Sequence, residues 1–367
     1  MKKKVIIVFS LLLIALLLVV LAVRTVSTTS CAENGDGLKV HFIDVGQGDS
    51  ELVICDNHAM LIDGGKADKS SMIYTYLKEN EIFHLDYIVA THAHEDHVGG
   101  LPAALNIAEI EHALAPVSEA DESEAFDDYV KYVNAQGKQI EIPSAGDEFE
   151  LGSATVKVLG PIYSSENVNN TSIVLKVTYG DTAFLFTGDA EYDEEQDMLV
   201  SGRDLESTVL KVGHHGSDTS TCAAFLNEVN PEYAVISVGE GNEYGHPTQG
   251  TLDILKSHNI KTFRTDLQGT IIAISDGKNI SFSVEENPDI DTWSYPGTVY
   301  NENETVITRG MPSEEYDYVG NKNSYVYHLP GCDSVKEMSE KNKYYFSGSR
   351  QEIEAEGYRP CKNCIGE

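Results

Sequence analysis

The sequence predicts a layered α/β fold over residues 38–284, and three observations carry that prediction. Short apolar strands alternate with amphipathic helices along this stretch. Some strands follow one another after only a tight turn, as Glu51–Cys55 and Ala59–Asp63 do, which indicates hairpins within the sheets. After Val284 this periodicity stops. A body of about 245 residues lies within the size range of one domain.

Alternation of apolar and polar residues predicts the strands, and apolar residues that repeat every three to four positions predict the helices. The predicted strands are Leu38–Asp44, Glu51–Cys55, Ala59–Asp63, Leu85–Thr91, Thr155–Leu159, Ser172–Tyr179, Thr182–Thr187, Thr208–Val212, Ala234–Val238, Lys261–Arg264, Gly269–Ser275 and Ile280–Val284. The predicted helices are Ser70–Asn80, Pro102–Ile107, Ala125–Ala135, Glu191–Val200, Cys222–Val229 and Thr248–His258.

The N-terminus carries three lysines followed by an uncharged apolar run, Val5–Val23. A helix needs roughly 20 apolar residues to cross a bilayer core, so this run is long enough to span. The basic flank favours a cytoplasmic N-terminus and an exported remainder. Residues 1–30 are therefore predicted to be a membrane anchor or a cleaved signal. The rest is then extracellular, either held at the cell membrane by a single span or secreted.

The composition is strongly acidic. Asp and Glu number 59 against 26 Lys and Arg, which gives a formal net charge of −33. A surface of that charge repels nucleic acid and anionic lipid in general, so a polybasic binding protein is excluded. An enzyme that grips phosphate through metal ions is not excluded, because bound cations can outweigh the more distant surface field.

A dense histidine motif, His92-Ala93-His94-Glu95-Asp96-His97, directly follows the apolar strand Leu85–Thr91. The carboxyl end of a strand is where α/β folds commonly place their chemistry. Three imidazoles and a carboxylate within six residues suit zinc or manganese. This loop is the strongest candidate for a metal centre.

The motif matches the HxHxDH pattern of the metallo-β-lactamase fold hydrolases. Four other segments occur in the order expected for the hydrolase domain of the ComEC/Rec2 competence proteins, which the chain resembles over about Leu38–Val284. These segments are Phe42–Ser50 (FIDVGQGDS), Leu61–Gly65 (LIDGG), Leu185–Ala190 (LFTGDA) and Leu210–Ser217 (LKVGHHGS).

The resemblance implies an αβ/βα four-layer sandwich with two divalent metal ions, Zn or Mn, at one edge. By the same resemblance, His92 and His94 bind the first metal, Asp96 and His97 bind the second, and Asp189 bridges both. Many superfamily members have a further histidine between the first motif and the Gly-Asp pair, but this chain has none between His112 and His214. The first metal is therefore expected to have an open position or one supplied by asparagine.

His214 and His215 end another strand, and because they are adjacent only one of them is expected to bind metal. We assign His215 to the second metal and His214 to the substrate phosphate or the leaving group, with the reverse left open. His246 either ligates a metal, donates a proton or is an ordinary loop residue.

Asp96, His214 and His246 are the candidate catalytic residues. A hydroxide shared by the two cations would attack phosphorus, and His214 or His246 would protonate the leaving oxygen. The candidate substrate-binding residues are Asn170, Lys211 and Ser217. Asp49 and Asp63 are candidates to hold the ligand imidazoles from behind.

The chain ends in a small module, residues 312–367, after a polar linker over residues 285–311. His328 and Cys332 are separated by 28 residues from Cys361 and Cys364. One imidazole and three thiols in two short-spaced pairs predict a structural Zn site, with a Cys361–Cys364 disulfide as the alternative. The segment resembles the Ada-type metal-binding domain, although His328 stands where that pattern has Cys.

These features predict an extracellular dinuclear-metal phosphodiesterase or nuclease. By the resemblance, its substrate is DNA and its partners belong to the competence and DNA-uptake machinery. A surface phosphodiesterase acting on phosphorylcholine or teichoic acid is the first alternative. A non-catalytic DNA-binding surface module, in which the metals are structural, is the second.

Overall fold

The computed structural model describes residues 37–120, 123–293 and parts of 298–365. The predicted membrane segment, Val5–Val23, lies outside these residues. Within the described part, no helix is both long and apolar enough to span a bilayer.

The first sheet has eight strands, and its central strands lead to the histidine loop. Its order is β15-β14-β1-β2-β3-β4-β5-β6, antiparallel from β15 to β3 and parallel from β3 to β6. The strands are β1 (Leu38–Phe42), β2 (Glu51–Cys55), β3 (His58–Ile62), β4 (His84–Val89), β5 (Glu109–Leu114), β6 (Ile140–Glu141), β14 (Ile271–Ser275) and β15 (Ile280–Val284).

The second sheet has seven strands in the order β13-β12-β11-β10-β9-β8-β7. It is parallel from β13 to β10 and antiparallel from β10 to β7. The strands are β7 (Glu148–Leu151), β8 (Ala154–Gly160), β9 (Val174–Tyr179), β10 (Thr182–Phe186), β11 (Val209–Lys211), β12 (Tyr233–Ile236) and β13 (Lys261–Arg264).

Three apolar clusters show how the layers stack. One lies between the sheets and joins Phe42 of the first sheet to Phe186 of the second. Another lies under helices on the outer face of the first sheet, and the third lies under helices of the second. The result is the predicted αβ/βα four-layer sandwich. The helices are α1 (Ser70–Glu79), α2 (Glu95–Val98), α3 (Leu101–Ile107), α4 (Glu124–Ala135), α5 (Tyr192–Ser201), α6 (Ala223–Val229), α7 (Gln249–Ser257) and α8 (Thr265–Gln268).

The helix ends follow ordinary capping chemistry. Ser123 accepts from the Phe126 N–H at the start of α4, and Thr248 accepts from the Thr251 N–H at the start of α7. Gly202, in the left-handed region at φ 68°, ends α5. These local signals explain why helix bounds read from the sequence come close to the observed ones.

The described residues after Trp293 form two further sheets. Strands β16 (Thr298–Asn301) and β17 (Glu304–Thr308) pair within the segment predicted to be a linker. The tail sheet has the order β20-β18-β19-β21. Its elements are β18 (Tyr318–Asn321), β19 (Val326–His328), α9 (Asp333–Lys336), β20 (Lys343–Phe346) and β21 (Arg359–Pro360).

Candidate metal centre

Backbone hydrogen bonds fix the histidine loop at the end of β4. The Asp49 N–H donates to the Asp96 carbonyl at 3.2 Å, and the Gly64 N–H donates to the His97 carbonyl at 2.7 Å. A Cβ atom at Gly48 would overlap the Asp96 carbonyl oxygen, so the two loops approach this closely only because residue 48 is glycine. The glycine-rich segments of the sequence therefore serve to hold the metal-binding loop.

His92, His94 and Asp189 form the first potential ligand group. One donor atom from each lies within 4.8 Å of the others. Asp189 follows β10 at a turn where Gly188 has φ 51°, and its Oδ2 lies 3.8 Å from His92 Nε2. His92 and Asp189 are buried, whereas His94 is exposed, so this group opens to solvent on one side.

Asp96, His97 and His215 form the second group. His215 Nε2 lies 3.5 Å from Asp96 Oδ2 and 3.6 Å from Asp189 Oδ1. His97 Nε2 lies 3.3 Å from Asp189 Oδ2. Asp189 therefore contacts both groups, since its Oδ2 lies near His92 and His97 and its Oδ1 lies near His215.

Several atoms at the centre of this cluster are buried and have no hydrogen-bond partner. They are His97 Nε2, His215 Nε2 and Asp189 Oδ1. Buried polar atoms without partners are costly, and here they point toward one another. Imidazole nitrogen and carboxylate oxygen are the donors that zinc and manganese prefer, so the residues fit a pair of divalent cations.

Two buried carboxylates lie behind the ligand imidazoles. Asp63 lies 2.7 Å from His97 Nδ1 and also accepts from the Thr91 hydroxyl at 2.6 Å and the Thr91 N–H at 2.8 Å. His215 Nδ1 lies 3.0 Å from the Ser237 carbonyl, which can accept its proton, and Asp49 Oδ1 lies 3.1 Å from the same nitrogen as a nearby negative charge. A proton on each Nδ1 leaves Nε2 to face the centre, which is the arrangement metal-ligating histidines commonly have.

The same carboxylates shift the titration of the histidines. Burial lowers the pKa of His215, but Asp189 and Asp49 outweigh that effect and raise the pKa to about 10. Burial opposes protonation of His97 as well, and Asp189 and Asp63 nevertheless raise its pKa well above the ordinary value. Without cations these rings hold protons, so a metal must displace them.

Lys211 is buried and cannot contact substrate, which corrects the substrate-binding role predicted for it. Its Nζ lies 2.7 Å from Asp49 Oδ2 and donates to the Val212 carbonyl at 2.9 Å. Only 1% of Lys211 is exposed. The ammonium instead fixes the Asp49 carboxylate, which lies beside His215. The sequence did not reveal this because the partner lies on a distant loop.

His214 and His215 both have left-handed backbone conformations, at φ 49° and 54°. Such conformations are strained for residues with a Cβ and persist where the surroundings enforce them. The two rings consequently face different groups. His214 Nε2 lies 3.7 Å from Asp189 Oδ2, and its Nδ1 lies 3.1 Å from the Thr219 hydroxyl and 3.3 Å from Glu191.

His246 lies next to this pair, with its ring edge-on to His214 at 5.6 Å between centroids. Its Nδ1 is buried without a hydrogen-bond partner. Burial, helped by the charges of His214 and His215, lowers the pKa of His246 to about 4. The ring is therefore neutral at pH 7.

Ser217 and Asn170 were also predicted to contact substrate. Ser217 is buried, and its hydroxyl accepts a hydrogen bond from the Thr219 N–H at 3.2 Å. The structure therefore gives Ser217 a part in holding the loop of residues 217–219 and not in contacting substrate. Asn170 Oδ1 accepts from the Glu191 N–H at 2.8 Å. Asn170 also lines a cleft of about 900 Å³ that the tail borders through Arg350 and Lys362.

The four tail residues predicted to bind zinc do come together. Strand β19 pairs in parallel with β21 so that Tyr327 lies opposite Pro360, which places His328 beside Cys361. One donor atom from each of His328, Cys332, Cys361 and Cys364 lies within 4.8 Å of the others. The three cysteines are free thiols, so the alternative Cys361–Cys364 disulfide is not formed.

The fold and this site define a class of protein, a metal-dependent hydrolase with a metal centre at the edge of an αβ/βα sandwich. A model of the metallo-beta-lactamase superfamily matches residues 43–240, just over half of the chain. The chain belongs to that superfamily. The family match does not extend to the tail, so the likeness of the tail to the Ada-type domain stays a prediction.

Competence proteins are among the relatives. The chain is 32% identical over 255 residues to ComE operon protein 3 of Bacillus subtilis, which covers 64% of this chain and 32% of that protein. It is 34% identical over 230 residues to competence protein ComA of Neisseria gonorrhoeae, and this match covers 62% of this chain and 31% of that protein. The chain thus spans about a third of the length of these relatives. The solved metallo-beta-lactamase fold protein YhfI of Bacillus subtilis aligns with a TM-score of 0.43 at 11% identity, over 67% of this chain and all of that one.

Proposed function

We propose that this protein is a dinuclear-metal phosphodiesterase that cleaves DNA. The observation that carries the proposal is the position of Asp189, whose carboxylate lies beside His92 of the first ligand group and beside His97 and His215 of the second. Two cations side by side suit phosphoryl transfer, because they stabilise both the attacking and the leaving oxygen. The relation to competence proteins supports DNA as the substrate.

In this proposal His92, His94 and Asp189 would hold the first cation, and Asp96, His97, His215 and Asp189 would hold the second. His214 Nε2 lies 3.7 Å from Asp189 Oδ2, an oxygen that also lies near His92 and His97, and we keep His214 assigned to the substrate phosphate or the leaving group, with metal ligation as the alternative. When bound, the cations supply hydroxide at neutral pH and neutralise charge on the phosphate.

Side chains of the protein itself orient the ligand imidazoles and stabilise the leaving oxygen in this proposal. Asp63 and the Ser237 carbonyl face Nδ1 of His97 and His215 and keep Nε2 of each ring turned inward, and the Lys211 ammonium keeps Asp49 charged beside His215. His246 is neutral at pH 7 and offers an N–H beside His214. We assign that N–H to the leaving oxygen, where a hydrogen bond stabilises the charge that develops as the ester bond breaks.

The proposal also assigns roles to the N-terminal apolar run and to the tail. Val5–Val23 would tether the protein to the cell membrane, with the hydrolase outside the cell and in reach of incoming DNA. The four tail ligands would hold one structural Zn, because a module of this size has too little apolar core to be stable alone. Its apolar cluster centres on Val319, Val335 and Met338.

The test is a cleavage assay on the purified full chain with Mn²⁺ or Zn²⁺. Single-stranded DNA, duplex DNA and bis(p-nitrophenyl) phosphate are offered in parallel. We expect metal-dependent cleavage of DNA that Asp189→Asn abolishes. Asp204→Asn serves as the matched control, because the Asp204 side chain is exposed and pairs with Lys176 away from the cluster.

Other outcomes would redirect the assignment. Cleavage of the small diester without cleavage of DNA would point to a cell-surface polymer such as teichoic acid. No turnover of any substrate, with two cations bound at the cluster, would contradict an enzymatic role and favour a DNA-binding module.

A further inference from the structure

The loop between β12 and α7 places an exposed aromatic ring beside the metal centre. Tyr244 is 56% exposed. Its ring stacks on the His246 ring at 5.8 Å between centroids, with 26° between the planes. His246 in turn contacts His214, whose Nε2 faces Asp189. A chain of three rings therefore leads from the reacting centre to the surface.

The loop that carries Tyr244 is fixed by side-chain hydrogen bonds. Asn242 Nδ2 donates to the Gly239 carbonyl at 2.9 Å and to the His246 carbonyl at 2.6 Å. The His246 N–H donates back to Asn242 Oδ1 at 3.0 Å. One amide side chain thus ties Gly239 and His246 together, so the backbone that carries Tyr244 is held beside the site.

The charges around Tyr244 argue against recognition through the phosphate backbone. Its neighbours Glu240 and Glu243 are both exposed acids. The whole chain carries a formal net charge of −33. A strand bound here gains nothing from cationic side chains of this loop, whereas a nucleobase has a neutral face that stacks on an aromatic ring whatever its sequence.

We propose that Tyr244 is a stacking platform for an unpaired nucleobase next to the scissile phosphate, which makes single-stranded nucleic acid the substrate. Bases inside a duplex are stacked on one another and do not present a free face. The inference rests on the phosphodiesterase function proposed above and specifies its substrate class. Tyr244 acts as a specificity residue, since it would touch the base and not the reacting atoms.

The experiment compares two single strands of equal length, one with bases and one built from abasic phosphodiester units. The kcat/KM ratio of the two strands is measured with Mn²⁺ for the full chain and its variants. Because stacking of a base on an aromatic ring strengthens binding, Tyr244→Ala should lower this ratio by about 10-fold, which is about 1.4 kcal/mol. Tyr244→Phe keeps the ring and should keep the ratio.

Tyr74→Ala is the matched control. Tyr74 is a tyrosine of similar exposure, at 40%, and it lies on helix α1. Its substitution should leave the ratio unchanged. A fall in cleavage of both strands to the same extent on Tyr244→Ala would show a structural role and overturn the proposal, and so would an unchanged ratio.

Binding separates this inference from the proposed function. Fluorescence anisotropy of labelled strands is read on the Asp189→Asn background, which needs no turnover. We expect Tyr244→Ala to weaken binding of the base-bearing strand alone. If that result appears while the unmodified chain cleaves neither strand, the phosphodiesterase function fails and the platform stands. Equal affinity for the base-bearing strand, with and without Tyr244→Ala on the Asp189→Asn background, would contradict stacking on Tyr244.

Discussion

Asp63→Asn tests whether buried carboxylates tune the metal centre. Asp63 is fully buried and accepts from Thr91 twice, and its Oδ2 faces His97 Nδ1 at 2.7 Å. Asparagine has the same shape but one acceptor oxygen, so either His97 or Thr91 must face an NH₂ group. Loss of such an outer partner costs about 10–100-fold in metal affinity. That range corresponds to about 1.4–2.8 kcal/mol of binding free energy.

The assay is competition with a chromogenic chelator for Zn²⁺ or Mn²⁺, which measures the affinity of the hydrolase cluster. Asp86→Asn is the matched control. Asp86 faces His58 Nδ1 at 2.6 Å and accepts from the Ala59 N–H at 2.8 Å, yet this pair lies at the other end of strand β3. We expect only Asp63→Asn to weaken metal binding. Equal affinity in the two variants would refute a role for Asp63 in holding His97.

Three further predictions concern pH and the tail. Burial raises the pKa of Glu195 to about 7, although backbone hydrogen bonds from Cys222 and Thr221 oppose that shift. The folded state therefore keeps a proton on Glu195 that the unfolded chain releases above about pH 4.5. Stability is therefore lost as pH rises from about 5 to 7, by on the order of 3 kcal/mol, and Glu195→Gln should flatten that dependence in urea unfolding curves. A slope that is the same with glutamine contradicts the assignment. The metal-free His97 and His215 rings hold protons, so metal affinity should rise with pH between 6 and 8, and metal binding should release protons to the buffer. Calorimetry measures both effects. Binding that does not depend on pH would exclude these rings as ligands. Cys364→Ser should remove one zinc per chain, measured by atomic emission, while the hydrolase cluster stays loaded; unchanged zinc content would exclude the tail site.

Much of the fold could be predicted from local patterns. The bounds of Glu51–Cys55, Lys261–Arg264 and Ile280–Val284 agree with the structure. Strands β5 and β7 were missed. Both alternate acidic residues with apolar ones, as in Glu109 and Glu111, and acidic residues have low strand propensity. Pairing with neighbouring strands, which the local sequence does not show, overrides that propensity.

The residues of the metal centre also fall into those that the sequence could predict and those that it could not. The histidine loop, Asp189 and the tail cysteines could be found because each is a short motif. The role of Lys211 could not, since it depends on burial against Asp49, which is far away in the sequence. Tyr244 gave no signal either, because exposure beside a distant cluster is a property of the fold. Contacts between segments decide which polar residues orient ligands and which face substrate.

The central claim is that two cations held around Asp189 cleave a phosphodiester. The most direct measurement is metal content and cleavage of single-stranded DNA on the same samples of the full chain and of Asp189→Asn. We expect two cations at the hydrolase cluster of the unmodified chain and turnover that rises with their loading. In the variant we expect reduced loading and no turnover. Turnover that persists in Asp189→Asn, or that does not depend on added metal, would contradict the central claim.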